Sequence, residues 1–249
     1  MVKHTARRSS SMRSFPMSRR SLFDCAAGAA TMAGLSALAP GAAADPGLGT
    51  LLDYAAAVPP ADAVRDAGHA GVIRYVSDRR PGAEWMLGKP LQAGEVDAMH
   101  AAGLTVVSCY QFGKGPTADW RGGLEAGKRH ADRGLQLHRA AGGPDGAPIY
   151  ASIDDNPTEA DFATMIAPYL AGWESVVGKQ NVGVYANSPT IDLARSAGLG
   201  SWFWQHNWGT PRGYVHPAAN LHQFEIDQRA VGGVSVDLNA ILTPQYGQW

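Results

Sequence analysis

The chain has 249 residues, of which 45% are apolar, 8% aromatic and 17% charged. This composition excludes a disordered tail and a coiled coil, because both are poorer in apolar and aromatic residues. Of the 21 basic and 22 acidic side chains, six basic and one acidic lie in the first 44 residues, which leaves a net charge of −6 on the remaining 205. An acidic domain binds polyanions poorly, so nucleic acid is not an expected partner. About 205 residues fit one large domain.

Residues 1–44 have the pattern of a twin-arginine export signal. Arg19 and Arg20 precede apolar residues, and the Ala/Gly-rich stretch that follows is too short and too weakly hydrophobic for a stable membrane span. Ala42 and Ala44 supply the small residues that a signal peptidase needs, which predicts cleavage after Ala44. We expect a mature domain over residues 45–249 that is exported to the cell envelope or beyond, as a monomer without a membrane span.

Short apolar runs bounded by turn residues alternate with Ala-rich helical patterns in the mature chain. Strands are predicted at residues 49–53, 71–76, 105–110, 148–153, 181–185, 201–205, 221–225 and 234–237. Helices are predicted at residues 60–67, 92–102, 119–141, 158–177 and 189–197. Glycines after three of these helices, at Gly68, Gly103 and Gly198, are typical of helix ends.

The order of these elements predicts an α/β fold. Strands that alternate with helices imply parallel βαβ units, and eight of them suggest a closed (β/α)8, TIM-barrel-like fold. Little separates the last three strands except loops, so the barrel should be irregular and helix-poor in its last third. The alternative is a doubly wound open sheet, which normally carries a glycine-rich nucleotide fingerprint that this sequence lacks.

Acidic side chains follow several predicted strands. Asp53, Asp154 and Asp237 each end an apolar run, and Glu225 ends another. The carboxyl ends of barrel strands face the functional mouth, so these acids should converge there among Tyr and Trp side chains. Carboxylates rimmed by aromatic rings suit a sugar-binding cleft, and glycoside hydrolysis uses two carboxyl groups, one of them kept protonated. Crowding of acids raises pKa values and so favours that protonated form.

The sequence resembles a known family in six segments that span most of the mature chain. They are residues 52–54, 71–77, 149–154, 184–187, 204–205 and 236–239. This glycoside-hydrolase-like TIM-barrel family, called domain of unknown function 1906, occurs in twin-arginine-exported actinobacterial proteins and is similar to the family 25 lysozyme-type muramidases. The resemblance implies a barrel that acts on peptidoglycan or a related envelope polysaccharide. It also implies that Asp53, Asp154, Gln223 and residues 236–239 parallel the acidic positions of the muramidases.

One departure concerns the proton donor. The muramidases have Asp-x-Glu after the fourth strand, with Glu as the general acid, whereas residues 154–156 here read Asp-Asp-Asn. Asn156 cannot donate a proton as an acid does. Either Asp155 or Glu225 replaces it, or the protein binds a cell-wall glycan without cleaving it. A third reading is an amidase or other hydrolase that acts on the same wall.

The candidate site follows from these arguments. We predict Asp53, Asp154 and Asp237 as the acidic cluster, with Asp155 or Glu225 as the proton donor. The residues predicted to line the sugar site are Arg74, Tyr110, Asn156, Tyr185, Gln205 and Gln223.

No cofactor or metal is expected. His206, His216 and His222 lie near the predicted mouth, but their spacing fits no metal-ligand motif. The Gly-x-Ser-x-Gly motif of a serine hydrolase does not occur in the sequence.

Overall fold

The computed structural model describes residues 47–249. The predicted export signal and its cleavage after Ala44 therefore lie outside the described residues. The strands are β1 (Thr50–Asp53), β2 (Gly71–Tyr75), β3 (Thr105–Tyr110), β4 (Ile149–Ser152), β5 (Val182–Ala186), β6 (Trp202–Gln205), β7 (Leu221–Val231) and β8 (Val234–Ile241). The α-helices are α1 (Ala61–Asp66), α2 (Ala93–Ala101), α3 (Gly123–Ala140), α4 (Glu159–Asp161), α5 (Ala167–Val177) and α6 (Ser188–Ser196).

Shorter helical segments complete the chain. A π-helical segment, Phe162–Ile166, joins α4 to α5, so the helix predicted at residues 158–177 is continuous but not uniformly α-helical. The 3₁₀ helices are Gly115–Thr117, Asp119–Gly122 and Lys179–Asn181. Among the described residues, no helix is long and apolar enough to cross a membrane.

The eight strands close into a barrel in chain order, which confirms the prediction of a closed α/β barrel. Strands β1 to β7 pair in parallel. The prediction of parallel units throughout is wrong for β8, which runs antiparallel to both β7 and β1. The barrel therefore departs from a regular (β/α)8 arrangement at its closing strand.

The short connection between β7 and β8 explains this reversal. Only Gly232 and Gly233 separate the two strands, and both have positive φ, 56° and 82°. Two such residues form the tight turn of a β-hairpin, whereas a parallel crossover needs a dozen or more residues. The chain therefore turns back on itself, and β8 enters the barrel from the mouth.

The last third is helix-poor, as predicted. In the part of the chain that the structure describes, no helix follows α6, and the connection from β6 to β7 consists of turns and bends. Gln205 at the end of β6 stabilises this connection. Its side-chain amide donates to the carbonyl of Tyr214 at 2.8 Å and accepts from the backbone N–H of His216 at 2.7 Å.

Strand alternation separates two apolar clusters. One fills the barrel interior, and the other lies between the strands and the helices. Interior positions become polar toward the mouth: two residues beyond Leu51 on β1 comes Asp53, and two residues beyond Leu221 on β7 comes Gln223. Because side chains of a strand alternate between its faces, these polar groups share the interior face with the apolar residues below them. The apolar interior thus forms the floor of a polar mouth.

Candidate functional site

Two adjoining cavities form one cleft at the mouth of the barrel. Their volumes are about 150 Å³ and 230 Å³, and Ala55, Tyr75 and Asp237 line both. Further residues on the wall of the first cavity are Arg80, Met86, Lys89, Gln111, Lys114, Asp154, Tyr185, Gln223 and Ile226. Further residues on the wall of the second are Asp53, Tyr54, Ala56, Trp85, Asp227 and Ser235. These two cavities are called the cleft below.

Asp53 and Asp237 occupy paired positions on β1 and β8. The side-chain amide of Gln223 donates to both carboxylates, at 3.0 Å to Asp53 and 3.2 Å to Asp237. Asp53 also accepts hydrogen bonds from Asn239 at 2.8 Å and from the hydroxyl of Tyr75 at 3.2 Å. The two acids are therefore connected through a shared donor.

Burial raises the pKa of both acids in this pair. Asp53 is 2% exposed, and the burial outweighs its hydrogen bonds. The pKa of Asp237 rises to about 7, first because of burial and second because of the nearby charge of Asp53. Two carboxyl groups this close resist double ionisation. The pair consequently holds a proton up to neutral pH.

Asp154, which also lines the cleft, has the opposite character. Burial raises its pKa, but the ammonium group of Lys114, at 2.8 Å, and a hydrogen bond from Gln111 at 3.0 Å outweigh the burial. The net result is a lowered pKa, so Asp154 is ionised at neutral pH. The cleft thus contains one carboxyl group held as an anion and a pair that retains a proton, an arrangement that acid–base catalysis uses.

Tyr185 fixes the orientation of the shared donor. Its hydroxyl donates to Oε1 of Gln223 at 2.6 Å, so the amide nitrogen of Gln223 must face the two carboxylates. Tyr185 lies in the barrel interior, with its ring centroid 4.9 Å from that of His206. Of the eleven predicted site residues, the structure therefore brings together five in the cleft: Asp53, Asp154, Tyr185, Gln223 and Asp237.

The two predicted proton donors, Asp155 and Glu225, do not line the cleft. Asp155 follows Asp154 directly and lies 3.5 Å from Arg121. Glu225 pairs with Arg229 on the β7–β8 hairpin. The register of β7 shifts between Gln223 and Glu225, so the alternation that brings Gln223 inward does not extend to Glu225.

Three of the predicted sugar-binding residues support the scaffold on the outer face of the strands. Arg74 is fully buried and binds the carboxylate of Glu95 and two backbone carbonyls. The hydroxyl of Tyr110 bonds to Nδ1 of His130 at 2.7 Å. Gln205 stabilises the β6–β7 connection described above. Strand alternation explains these placements, since each residue adjoins one that faces inward.

Asn156 also has a structural position. Its side-chain oxygen accepts from the amide of Asn187 at 2.8 Å, and Asn187 in turn caps α6 through the backbone N–H of Thr190 at 3.0 Å. Gly209 packs so closely that a side chain there would collide with the Asn156 oxygen, at 2.2 Å. Asn156 therefore connects two loops and does not line the cleft.

Several cleft residues were not predicted from the sequence. Tyr75 and Gln111 immediately follow Arg74 and Tyr110, and a strict inward–outward alternation would have selected them. Lys89, Lys114 and Trp85 lie on loops, where alternation carries no information. Trp85 is 58% exposed and lines the same cavity as the carboxylate pair of Asp53 and Asp237.

The histidines near the mouth have separate partners. His216 lies 2.9 Å from Asp192, and His222 lies 2.8 Å from the side-chain oxygen of Asn207. Nε2 of His206 lies 3.2 Å from a backbone carbonyl. Within residues 47–249, no group of three or more His, Cys, Asp or Glu side chains is arranged to hold a metal ion.

Comparison with models of known protein families shows which family this chain belongs to. The model of the Rv2525c-like, glycoside hydrolase-like domain family matches residues 62–241, which include most of the barrel. The chain belongs to this family. The resemblance recognised from the sequence is thereby confirmed.

Two comparisons place the chain close to a mycobacterial member of the Rv2525c-like family. Rv2525c of Mycobacterium tuberculosis, whose name gives peptidoglycan hydrolysis as a provisional activity, is 65% identical over 190 residues, 76% of this chain and 79% of the relative. The crystal structure of that Tat-secreted protein in complex with L-tartrate has a TM-score of 0.81 at 66% identity and covers 81% of this chain and 99% of its own. The Tat secretion of this relative confirms the predicted export by the twin-arginine route.

A more distant structure shares only the fold. The spore cortex lytic enzyme SleM of Clostridium perfringens has a TM-score of 0.51 at 14% identity, with 78% of this chain and 67% of SleM covered. This chain and SleM thus share a barrel fold.

Proposed function

We propose that this chain is an exported glycoside hydrolase that cleaves peptidoglycan or a related envelope polysaccharide. One observation carries the proposal: Asp154 and Asp237 line the same cleft, and their pKa values are shifted in opposite directions. Glycoside hydrolysis needs one carboxylic acid and one carboxylate on either side of the scissile bond. The name of the M. tuberculosis relative supports the cell wall as the substrate.

In the proposed mechanism, Asp237 is the general acid. Its proton passes to the glycosidic oxygen as the bond from the anomeric carbon breaks, and the leaving sugar departs with a hydroxyl group. The ionised Asp154 stabilises the positive charge that develops on the sugar ring. Water completes the reaction at the anomeric carbon and returns a proton to the enzyme. Asp53 raises the pKa of Asp237, which compensates for the missing acid at Asn156.

Trp85 is the residue that we expect to contact the sugar in this mechanism. Its side chain is more than half exposed and lines the cavity that also contains Asp53 and Asp237. Aromatic faces pack against the C–H surfaces of sugar rings, so we assign Trp85 as a platform for the sugar next to the acid pair.

A second candidate function is non-catalytic glycan binding. Two observations favour it: the ammonium group of Lys114 already neutralises Asp154, and an amide stands at Asn156 in place of the muramidase acid. A barrel of this kind would bind sugar through the same cleft without releasing a product.

Release of reducing ends from purified peptidoglycan separates these functions. We expect release by the wild-type protein and a loss of about a hundredfold or more in Asp154→Asn, since a carboxylate of this kind contributes about that much. Asp155→Asn is the matched control, because it removes the neighbouring acid outside the cleft, and it should retain activity within about twofold. Binding without release by wild type would favour the binding protein. Mass spectrometry that finds amide cleavage would contradict the glycosidic assignment.

A further inference from the structure

Three cationic side chains line the first cavity of the cleft: Arg80, Lys89 and Lys114. Lys114 pairs with Asp154 at 2.8 Å. Among residues 47–249, neither Arg80 nor Lys89 has a carboxylate within 4.0 Å of its charged nitrogens. The wall of the cleft therefore offers two cations that no described carboxylate neutralises.

The environment of Lys89 makes its positive charge energetically costly. The residue is 4% exposed, its ammonium group donates to the carbonyl of Gln111 at 2.7 Å, and it lies 3.9 Å from the ring centroid of Tyr75. Burial lowers its pKa to about 8, and the positive charge of Arg80 acts in the same direction. A buried cation without a paired anion is unfavourable, so an anion bound between the two side chains would relieve this cost.

The acidic residues of the cleft also limit which kind of anion can bind there. Asp154 and Asp237 line the same cavity as the two cations. The ionised Asp154 would repel a dianionic phosphate group more strongly than a singly charged carboxylate. A carboxylate also accepts hydrogen bonds from a guanidinium in a matching planar geometry.

Building on the proposed function, we propose that the substrate is an anionic glycan, and that Arg80 and Lys89 bind a carboxylate on a sugar next to the bond that is cleaved. This chemistry is shared by two kinds of sugar, a hexuronate and an N-acetylmuramate whose lactyl carboxyl is free. Arg80 and Lys89 would thus determine specificity, while Asp154 and Asp237 perform the reaction.

Calorimetric titration of the purified protein with three matched tetrasaccharides tests the proposal. One contains only N-acetylglucosamine and is neutral, and the other two alternate it with glucuronate or with N-acetylmuramate. We expect at least one charged tetrasaccharide to bind about tenfold more tightly than the neutral one, as is usual for a charge-assisted hydrogen bond. If one of the two charged tetrasaccharides binds more tightly than the other, its sugar is the source of the carboxylate. If both bind equally tightly, the protein recognises the carboxylate alone.

Arg80→Gln should bring the charged and neutral sugars within about twofold of each other. Arg79→Gln is the matched control, since this neighbouring arginine is exposed and does not line the cleft, and it should keep the wild-type preference. Equal binding of all three sugars by wild type, absence of binding, or an unchanged preference in Arg80→Gln would overturn the inference. Release of reducing ends from peptidoglycan is measured independently, so the proposed hydrolase can stand when this inference fails.

Discussion

Asp53 and Asp237 lie opposite each other where β1 pairs with β8, and a single amide group, that of Gln223, donates to both carboxylates. The shared donor keeps the two acids close together, and their closeness disfavours the doubly ionised state. The pair can therefore supply a proton at a pH where an isolated aspartate has already lost it.

The proposed hydrolysis should slow at alkaline pH and persist at acidic pH. We expect kcat/KM to fall as the pH rises above about 7, because Asp237 then loses its proton. On the acidic side, activity should persist to below about pH 4, because Lys114 keeps Asp154 ionised. Lys114→Met should move the acidic limb to higher pH without moving the alkaline limb. An alkaline limb near pH 5 would exclude Asp237 as the donor.

The same shift in pKa predicts how stability depends on pH. Since the pKa of Asp237 is higher in the folded protein than in the unfolded chain, the folded state holds the proton more tightly between about pH 4 and 7. Its contribution to stability is therefore present below pH 4 and is lost as the pH rises through 7. We expect Asp237→Asn to reduce this decline by about 1–2 kcal/mol, a value discounted for the partial exposure of the side chain. Urea denaturation at pH 4.5 and 7.5 measures the difference, and Asp155→Asn should keep the wild-type decline.

Tyr185→Phe tests the orientation of the shared donor. Loss of its hydroxyl leaves Oε1 of Gln223 without this hydrogen bond and should cost about 1–2 kcal/mol of stability. We also expect kcat to fall about tenfold, because the amide is no longer held toward the carboxylates. Tyr110→Phe is the control, since it removes a comparable hydrogen bond to His130 outside the cleft. Equal effects of the two variants on kcat would refute the positioning role of Tyr185.

Trp85→Ala tests the sugar platform. We expect KM to rise about three- to tenfold while the melting temperature stays unchanged, because the ring is exposed and contributes little to the core. Trp208→Ala is the comparison variant: its side chain is 56% exposed but does not line the cleft. The assignment fails if both variants raise KM to the same extent.

Arg74→Met should lower the stability of the folded protein more than a substitution at the surface does. It removes the cation from a buried pair with Glu95 and leaves that carboxylate without its charged partner. The expected loss is about 3–5 kcal/mol. Arg65→Met breaks an exposed pair with Asp66 and should cost at most about 0.5 kcal/mol. Chemical denaturation of the two variants compares them, and a similar loss in both would show that Arg74 is not a structural anchor.

Much of the fold could be predicted because hydrophobic runs determine where strands form. All eight predicted strands overlap observed ones, although β7 and β8 extend beyond residues 225 and 237. The antiparallel direction of β8 was not predicted, because the repeating order of strands and helices implies parallel strands. Gly232 and Gly233 are the sequence signal for this direction, since two glycines between apolar runs indicate a β-hairpin and therefore antiparallel strands.

The site could be predicted only in part, and the physical reason differs between residues. Asp53 and Asp154 were found because acids at the ends of barrel strands share one mouth. The residue types of Arg74 and Tyr110 suit a sugar site, but the alternation of side chains along a strand brings their neighbours Tyr75 and Gln111 into the cleft instead. Lys89 enters the cleft from a loop, and its position depends on tertiary packing that no local pattern encodes.

The reversed closing strand has a consequence for how this scaffold can diversify. Asp237 lies within β8, which is held by backbone ladders from both neighbours, whereas Arg80, Trp85 and Lys89 belong to the segment between β2 and α2. Under the proposed function, exchange of that segment would change which polysaccharide is accepted while the acid keeps its place. The proposed proton donor and the proposed sugar-selecting residues thus belong to separate parts of the polypeptide.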